Sequence, residues 1–281
     1  MNLKHHPFLF LWIVLAAGCT RPHLSVAPSA VTQNRILQGN DTNGVSTWAI
    51  LPPTYNPHTA TPWIIYNHGS EQTISSIITN SAHNQFVQSL AAAGFVVVAS
   101  EYRSLTCWGN MECANDIANL QTLWRARLNL SSRPFVIGES MGGIVTWNAI
   151  SHGTLKPLAV VGIYPVCSLF AMYVIDSHTP AIETAYGFVS PSEYISATRG
   201  FDPLLTPPST FADIRIAIWA SYSDRTVERS QNEDPFAKAI NAAGGSVTIQ
   251  TSHGGHGDPS NLDAAAVISF FSSRLSDMRE P

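Results

Sequence analysis

Short runs of β-branched and aromatic residues recur along the chain, and most are followed by a segment whose apolar positions fall every three or four residues. Trp63, Ile64, Ile65 and Tyr66 predict a strand over 63–67, and the pattern over 81–93 predicts a helix stopped by Gly94. A second strand follows at 95–100. Ile117, Leu120, Leu123, Trp124 and Leu128 share one face of a helix over 114–128. The same alternation predicts a strand at 135–138, a helix at 141–151, and strands at 158–163 and 214–220. It ends with a helix at 233–243, a strand at 246–250 and a closing helix near 261–275, with Val267, Phe270, Phe271 and Leu275 on one side. Continuously apolar strands suit a sheet buried on both faces, and alternation with helices implies right-handed crossovers. The expected fold class is therefore α/β, a mostly parallel central sheet with helices on both faces. In such a sheet, functional residues follow the carboxyl ends of strands.

One stretch breaks the rhythm. Between Ile163 and Ile214 no strand is apparent; helical pieces fall near 180–186 and 191–198, and Pro203, Pro207 and Pro208 close the stretch. A small cap at about 166–210, covering the active-site face, is the expectation, with a plain long crossover as the other reading.

Composition narrows the function class. The chain has 281 residues, 45% hydrophobic and only 12% charged, with a formal net charge of −4. A sizeable core is expected, and nothing resembles a basic nucleic-acid binder. No cofactor motif appears: there is no Gly-x-Gly-x-x-Gly and no P-loop.

At the N-terminus, Lys4, His5 and His6 precede the apolar run Phe8 to Gly18, which reads as an export signal over 1–18. Leu15, Ala16, Ala17 and Gly18 directly before Cys19 resemble a bacterial lipoprotein signal, although Ala16 stands where that motif prefers Leu. The resemblance implies lipidation of Cys19 and attachment to the cell envelope; ordinary cleavage after Ala30, with secretion, is the alternative. Residues 19–45 are expected to be a tether and 46–276 the folded domain. Export permits disulfides. Cys107 and Cys113 flank a short loop that a disulfide would close, while the apolar setting of Cys167 predicts a buried, inert thiol.

Gly138, Glu139, Ser140, Met141 and Gly142 lie between a predicted strand and a predicted helix. This is Gly-x-Ser-x-Gly in the context that gives it meaning: a serine on a sharp strand-to-helix bend, flanked by glycines because larger side chains would collide. The amide of Met141, at the helix start, is free to stabilise an oxyanion. A serine needs a base, and the base needs an orienting group. Asp224 follows the strand at 214–220 and is the expected carboxylate; Asp202, Asp213 and Asp234 are placed less well. After the last strand, His253 and His256 compete for the base, and the glycines around His256 favour it. A metal site of His253, His256 and Asp258 lacks a further His or Cys cluster; Asp258 or Ser260 more simply caps the closing helix.

The order Ser140, Asp224, His256 resembles that of the α/β-hydrolase superfamily, over about Thr47 to Leu275 and more narrowly its exported single-domain esterase-like members. Asn67, His68, Gly69 and Ser70 resemble the family's His-Gly oxyanion element, which implies the Ser70 amide as second donor; His68 is expected to brace that loop. Gly255 to Ser260 resembles a catalytic-histidine loop of a bacterial and phage subgroup. The resemblance implies an esterase- or lipase-like serine hydrolase without a cofactor, acting on a small or lipid-like ester. An acyltransferase or a peptidase on the same triad is the alternative, and a non-catalytic surface binding protein the more distant one. Trp63, Tyr102, Trp108 and the cap aromatics hint at an apolar acyl pocket.

Overall fold

A chain of apolar strands must hide each strand on both faces, and the computed structural model, which describes residues 34–276, does this with one sheet between two layers of helices. The strands are β1 (Arg35–Asn40), β2 (Ser46–Leu51), β3 (Trp63–Asn67), β4 (Val96–Ser100), β5 (Phe135–Glu139), β6 (Ala159–Ile163), β7 (Arg215–Ala220) and β8 (Ser246–Thr251). Their spatial order is β1-β2-β4-β3-β5-β6-β7-β8. β1 with β2 and β2 with β4 are antiparallel, and all other pairs are parallel. The helices are α1 (Ile74–Thr79), α2 (Ser81–Ala92), α3 (Met111–Arg127), α4 (Met141–Ser151), α5 (Leu169–Tyr173), α6 (Thr179–Tyr186), α7 (Tyr194–Ala197), α8 (Glu233–Ala242) and α9 (Ala264–Ser272).

Alternation along β5 explains the two cores. Val136 points into one, with Trp124 of α3, Ile144 and Trp147 of α4 and Phe236 of α8. Phe135 and Ile137 point into the other, with Phe86 and Leu90 of α2 and Phe271 of α9. Phe135 and Phe271 meet with ring centres 4.6 Å apart. Every residue of β3, β4, β5 and β6 is buried, as strands covered on both faces require.

The structure departs from the predicted elements at their ends, in short pieces and at β2, a buried strand over Ser46–Leu51 that the pattern reading does not include. Residues 34–45, expected to finish a tether, form the edge strand β1 and the turn after it, where Asp41 accepts from Asn43 N–H and Val45 N–H. The pattern does not reveal β1 because its residues are mostly exposed and carry no apolar run. α1 is only six residues long, held by a reciprocal cap between Thr73 and Ser76, too short for periodicity to reveal. α3 starts three residues earlier than predicted because the Asn110 side chain caps it by accepting from Cys113 N–H. The closing helix splits into a 3₁₀ turn at Pro259–Asn261, capped by Asp258, and α9, capped by Asp263. The stretch between β6 and β7 holds α5, α6, α7 and three 3₁₀ turns at Pro191–Glu193, Pro203–Leu205 and Pro208–Phe211. The export signal, Cys19 and the tether up to residue 33 lie outside the described residues. Among the described residues no helix is long and apolar enough to cross a membrane.

The topology decides where a site can form. From β3 the chain goes to β4 on one side and then to β5 on the other, so the connections after β3 and β5 part at that point and leave a crevice. The register aligns Asn67 with Gly138, Glu139 with Ile163, Ile163 with Trp219 and Ala220 with Thr251. The loops leaving β3, β5, β6, β7 and β8 therefore emerge side by side at one edge.

Candidate active site

Ser140 lies directly between β5 and α4, with φ 51° and ψ −120°. A non-glycine residue held there is strained, and strain of this kind persists only where neighbours over-determine it. Two glycines do so. A Cβ on Gly138 would come within 2.8 Å of Gly142 O and of Thr146 Oγ1, and one on Gly142 would strike the backbone of Asn67 and lie 2.8 Å from His68 O. The bend is also pinned by Ser140 N–H donating to Ile163 O, and by Val166 N–H donating to Ser140 O. Four of the five non-glycine residues at positive φ among the described residues, Glu71, Trp108, Ser140 and Tyr164, line one cleft of about 410 Å³.

Within that cleft Ser140 Oγ stands 3.0 Å from His256 Nε2, and His256 Nδ1 stands 2.8 Å from Asp224 Oδ2. Asp224 Oδ1 accepts from Thr226 N–H and Val227 N–H, which fixes the 3% exposed carboxylate in its turn. Because Asp224 can only accept, His256 Nδ1 carries the hydrogen and Nε2 is free to accept from the serine. The loop after β8 holds this pose through Asn261 Nδ2, which donates to Gly255 O, and Asp258 N–H, which donates to the same oxygen. The three side chains come from the connections after β5, β7 and β8, and no pair among them is nearer than 32 positions in sequence.

The competing residues fall elsewhere. His253 is exposed and faces a groove between β8 and α9. Asp202 caps the turn Pro203–Leu205 and accepts from Phe170 N–H. Asp213 is exposed ahead of β7, and Asp234 pairs with Arg229 at 2.9 Å. Asp258 accepts from Ser260 N–H at the cap, so His253, His256 and Asp258 do not converge. Among the described residues no group of three or more His, Cys, Asp or Glu could hold a metal.

Neither Met141 N–H nor Ser70 N–H has an acceptor among the described residues. Met141 is the first residue of α4, where amides are left unpaired by helix geometry and the dipole favours negative charge. The Gly69–Ser70 turn packs against the serine: a Cβ on Gly69 would be 3.3 Å from Ser140 Cβ. His68 is fully buried beneath this turn, with Nδ1 2.9 Å from Gly69 O and its ring 4.5 Å from Tyr102. Burial pushes its pKa down, so it braces the loop as a neutral ring.

The far wall comes from the segment between β6 and β7 and from the loop before α3. Met172, Ser177 and His178 line the cleft, and the ring of Trp108 lies 5.1 Å from that of His178. Trp108 is locked in place. Cys107 and Cys113 are joined as a disulfide, Tyr186 Oη donates to Trp108 O at 2.9 Å, and Asn110 Nδ2 donates to Ala185 O at 2.8 Å. Glu71 N–H donates to Leu105 O, tying the same loop to the Ser70 turn. Trp63 does not contribute: it starts β3 at the opposite end, donating to Ser131 O. Tyr102 backs His68 rather than lining the cleft. Cys167 is free and buried, and burial pushes its thiol up.

Several groups near the serine are not apparent from the sequence. Glu139 is the variable residue of Gly-x-Ser-x-Gly; its only sequence signal is a charge ending an otherwise apolar strand. Gln72, His83 and Tyr164 carry none. Glu233, the first residue of α8, is fully buried with no ion-pair or side-chain hydrogen-bond partner among the described residues. Burial, with the nearby charge of Asp224, pushes its carboxyl up to about 8. The folded value exceeds the ordinary one, so Glu233 is fully tolerated below about pH 4.5 and costs stability as pH rises towards 8. Glu233→Gln should therefore gain in Tm over the parent from pH 5 to pH 8; a Tm difference independent of pH would contradict this.

No family model and no curated protein matches the sequence. Solved structures do. An acylaminoacyl peptidase of Pyrococcus horikoshii superposes with TM-score 0.68 at 17% identity, over 86% of this chain and 42% of its own. A puromycin-hydrolysing peptidase of Mycobacterium tuberculosis gives TM-score 0.68 at 17% identity, over 86% of this chain and 40% of its own. An S-formylglutathione hydrolase from Agrobacterium tumefaciens gives TM-score 0.65 at 14% identity, over 88% of this chain and 97% of its own. The chain thus spans less than half the length of the two peptidases and nearly all of the third protein. Identities this low carry the fold and nothing finer.

Proposed function

The chain has the α/β-hydrolase fold, and on that premise we propose that it is a serine hydrolase that cleaves a carboxylic ester through an acyl-enzyme on Ser140. The observation that carries the proposal is the continuous contact from Ser140 Oγ through His256 to Asp224, at 3.0 and 2.8 Å. His256 Nε2 takes the hydroxyl proton as Ser140 Oγ attacks the carbonyl carbon. The carbonyl oxygen, now an anion, is held by the amides of Met141 and Ser70. Asp224 stabilises the imidazolium that forms, and His256 returns the proton to the departing alcohol. Water, deprotonated by the same imidazole, then releases the acid.

The solved structures resembling this chain include peptidases and an S-formylglutathione hydrolase, and a peptidase or acyltransferase is the second reading. Trp108 and Met172 give the cleft of about 410 Å³ apolar wall for an acyl group. Export, with Cys19 anchored in the envelope or the chain secreted, belongs to the same proposal; the Cys107–Cys113 disulfide supports an oxidising compartment. A fluorophosphonate probe should label the protein, with the adduct mapping to Ser140. p-Nitrophenyl acetate and butyrate should then turn over far faster than the matching anilides. No adduct at Ser140 would refute the hydrolase, and faster anilide cleavage would favour the peptidase.

A further inference from the structure

We propose that Glu139 is a positioning residue that locks the oxyanion turn and the His256 imidazole into one rigid frame. The inference rests on the serine-hydrolase reading and asks what holds its parts in register. Glu139 ends β5 one residue before Ser140, and its side chain is 2% exposed. Its carboxyl receives Tyr66 Oη at Oε2, and Tyr164 Oη at 2.6 Å, His83 Nε2 at 3.1 Å and Gln72 Nε2 at 3.2 Å at Oε1. Four elements thus converge on one carboxyl: β3, the turn after it, α2 and the residue after β6.

The hydrogen-bond partners bear on the charges. Gln72 Oε1 accepts from Gly69 N–H at 2.9 Å, so the amide edge facing Glu139 is the donating one. Asn80 Oδ1 accepts from Ala82 N–H and His83 N–H, which identifies it as oxygen, and it lies 3.1 Å from His83 Nδ1. Both nitrogens of His83 therefore face acceptors, an arrangement that favours the imidazolium paired with the Glu139 carboxylate. The direction of titration agrees: the hydrogen bond to Glu139 raises His83, and although burial would raise Glu139, its donors hold it down to about 2.

From this ion pair two links run to the chemistry. Through Gln72, Glu139 holds Gly69 N–H, and Gly69 packs on Ser140 beside the Ser70 amide. Through Tyr164, whose ring centre lies 4.6 Å from that of His256, it backs the imidazole. His83 pairs the Glu139 charge beside the oxyanion turn. The titratable groups facing Glu139 are His83 of α2, Tyr66 and His68 of β3 and its turn, Tyr102 after β4 and Tyr164 after β6. Those facing His256 are Asp224, Tyr164 and His178.

The test compares the parent, Glu139→Gln, Gln72→Ala and Tyr164→Phe in p-nitrophenyl acetate hydrolysis from pH 5 to 9, with fluorophosphonate inactivation in parallel. Each variant should lose about tenfold or more in kcat and in inactivation rate, with KM within about threefold. Because Glu139→Gln also releases His83 from the contact that raises it, its loss should fall on kcat across the whole pH range rather than as a displaced acid limb of kcat/KM. Parent-like kcat in Gln72→Ala and Tyr164→Phe would overturn the proposal even if Glu139→Gln failed to fold, and so would a Glu139→Gln loss confined to KM. Failure of the unmodified protein to react with the fluorophosphonate would instead strike the serine-hydrolase reading beneath it.

Discussion

Ser140→Ala is expected to lower kcat for p-nitrophenyl esters by about 10⁴- to 10⁶-fold and to abolish fluorophosphonate labelling, with Tm moving by no more than a few degrees. The size of the loss follows from the chemistry: without Oγ no acyl-enzyme forms, and the residual rate is what the two amides and binding give to water. Folding should survive because the methyl group occupies the same backbone bend, and the bend is enforced by Gly138, Gly142 and the bonds to Ile163 and Val166 rather than by the hydroxyl. The substitution removes one half-buried hydrogen bond, from Ser140 Oγ to His256 Nε2 at 3.0 Å, worth about 1 kcal/mol. Ester turnover above about 1% of the parent's in the purified variant would show that the reacting nucleophile lies elsewhere.

Gly142→Ala should be the most damaging glycine-to-alanine change among the described residues. Its Cβ would strike the Asn67 carbonyl and come within 2.8 Å of His68 O, and both are backbone atoms at the end of a fully buried central strand. No rotamer can relieve a backbone clash, so α4 must retreat or β3 must bend. Overpacking of this kind costs about 3 kcal/mol or more, roughly a 10 °C fall in Tm for a domain of this size. The retreat would also part Met141 from Ser70 and lower kcat. Gly255→Ala is the matched control: its methyl would meet only Ser223 O, at 3.8 Å, and Tm should stay close to the parent's. Thermal unfolding by circular dichroism checks both, and equal melting temperatures for the two variants would remove the steric explanation of the motif.

Long-range periodicity and strand-end chemistry are legible in the chain. The strands β3 to β8 and the helices α2, α3, α4, α8 and α9 match the apolar pattern to within a few residues, because each must bury a continuous face. β1, β2, α1 and α5 are missing from that reading: β1 is exposed, β2 is a short buried run that no helical pattern follows, and α1 and α5 are six and five residues long. The choice of Asp224 and His256 over their neighbours rests on loop placement, and the structure brings those two to Ser140.

Glu139 illustrates what a linear reading cannot contain. Its residue type and its place before Ser140 are written in the chain, yet its partners come from positions 66, 72, 83 and 164. By itself the sequence determined the elements and the strained bend, because periodic burial and glycine sterics are local properties. Only the tertiary structure decided that Tyr66, Gln72, His83 and Tyr164 meet on the Glu139 carboxyl, because those contacts depend on distances across a sheet whose strand order no local pattern encodes.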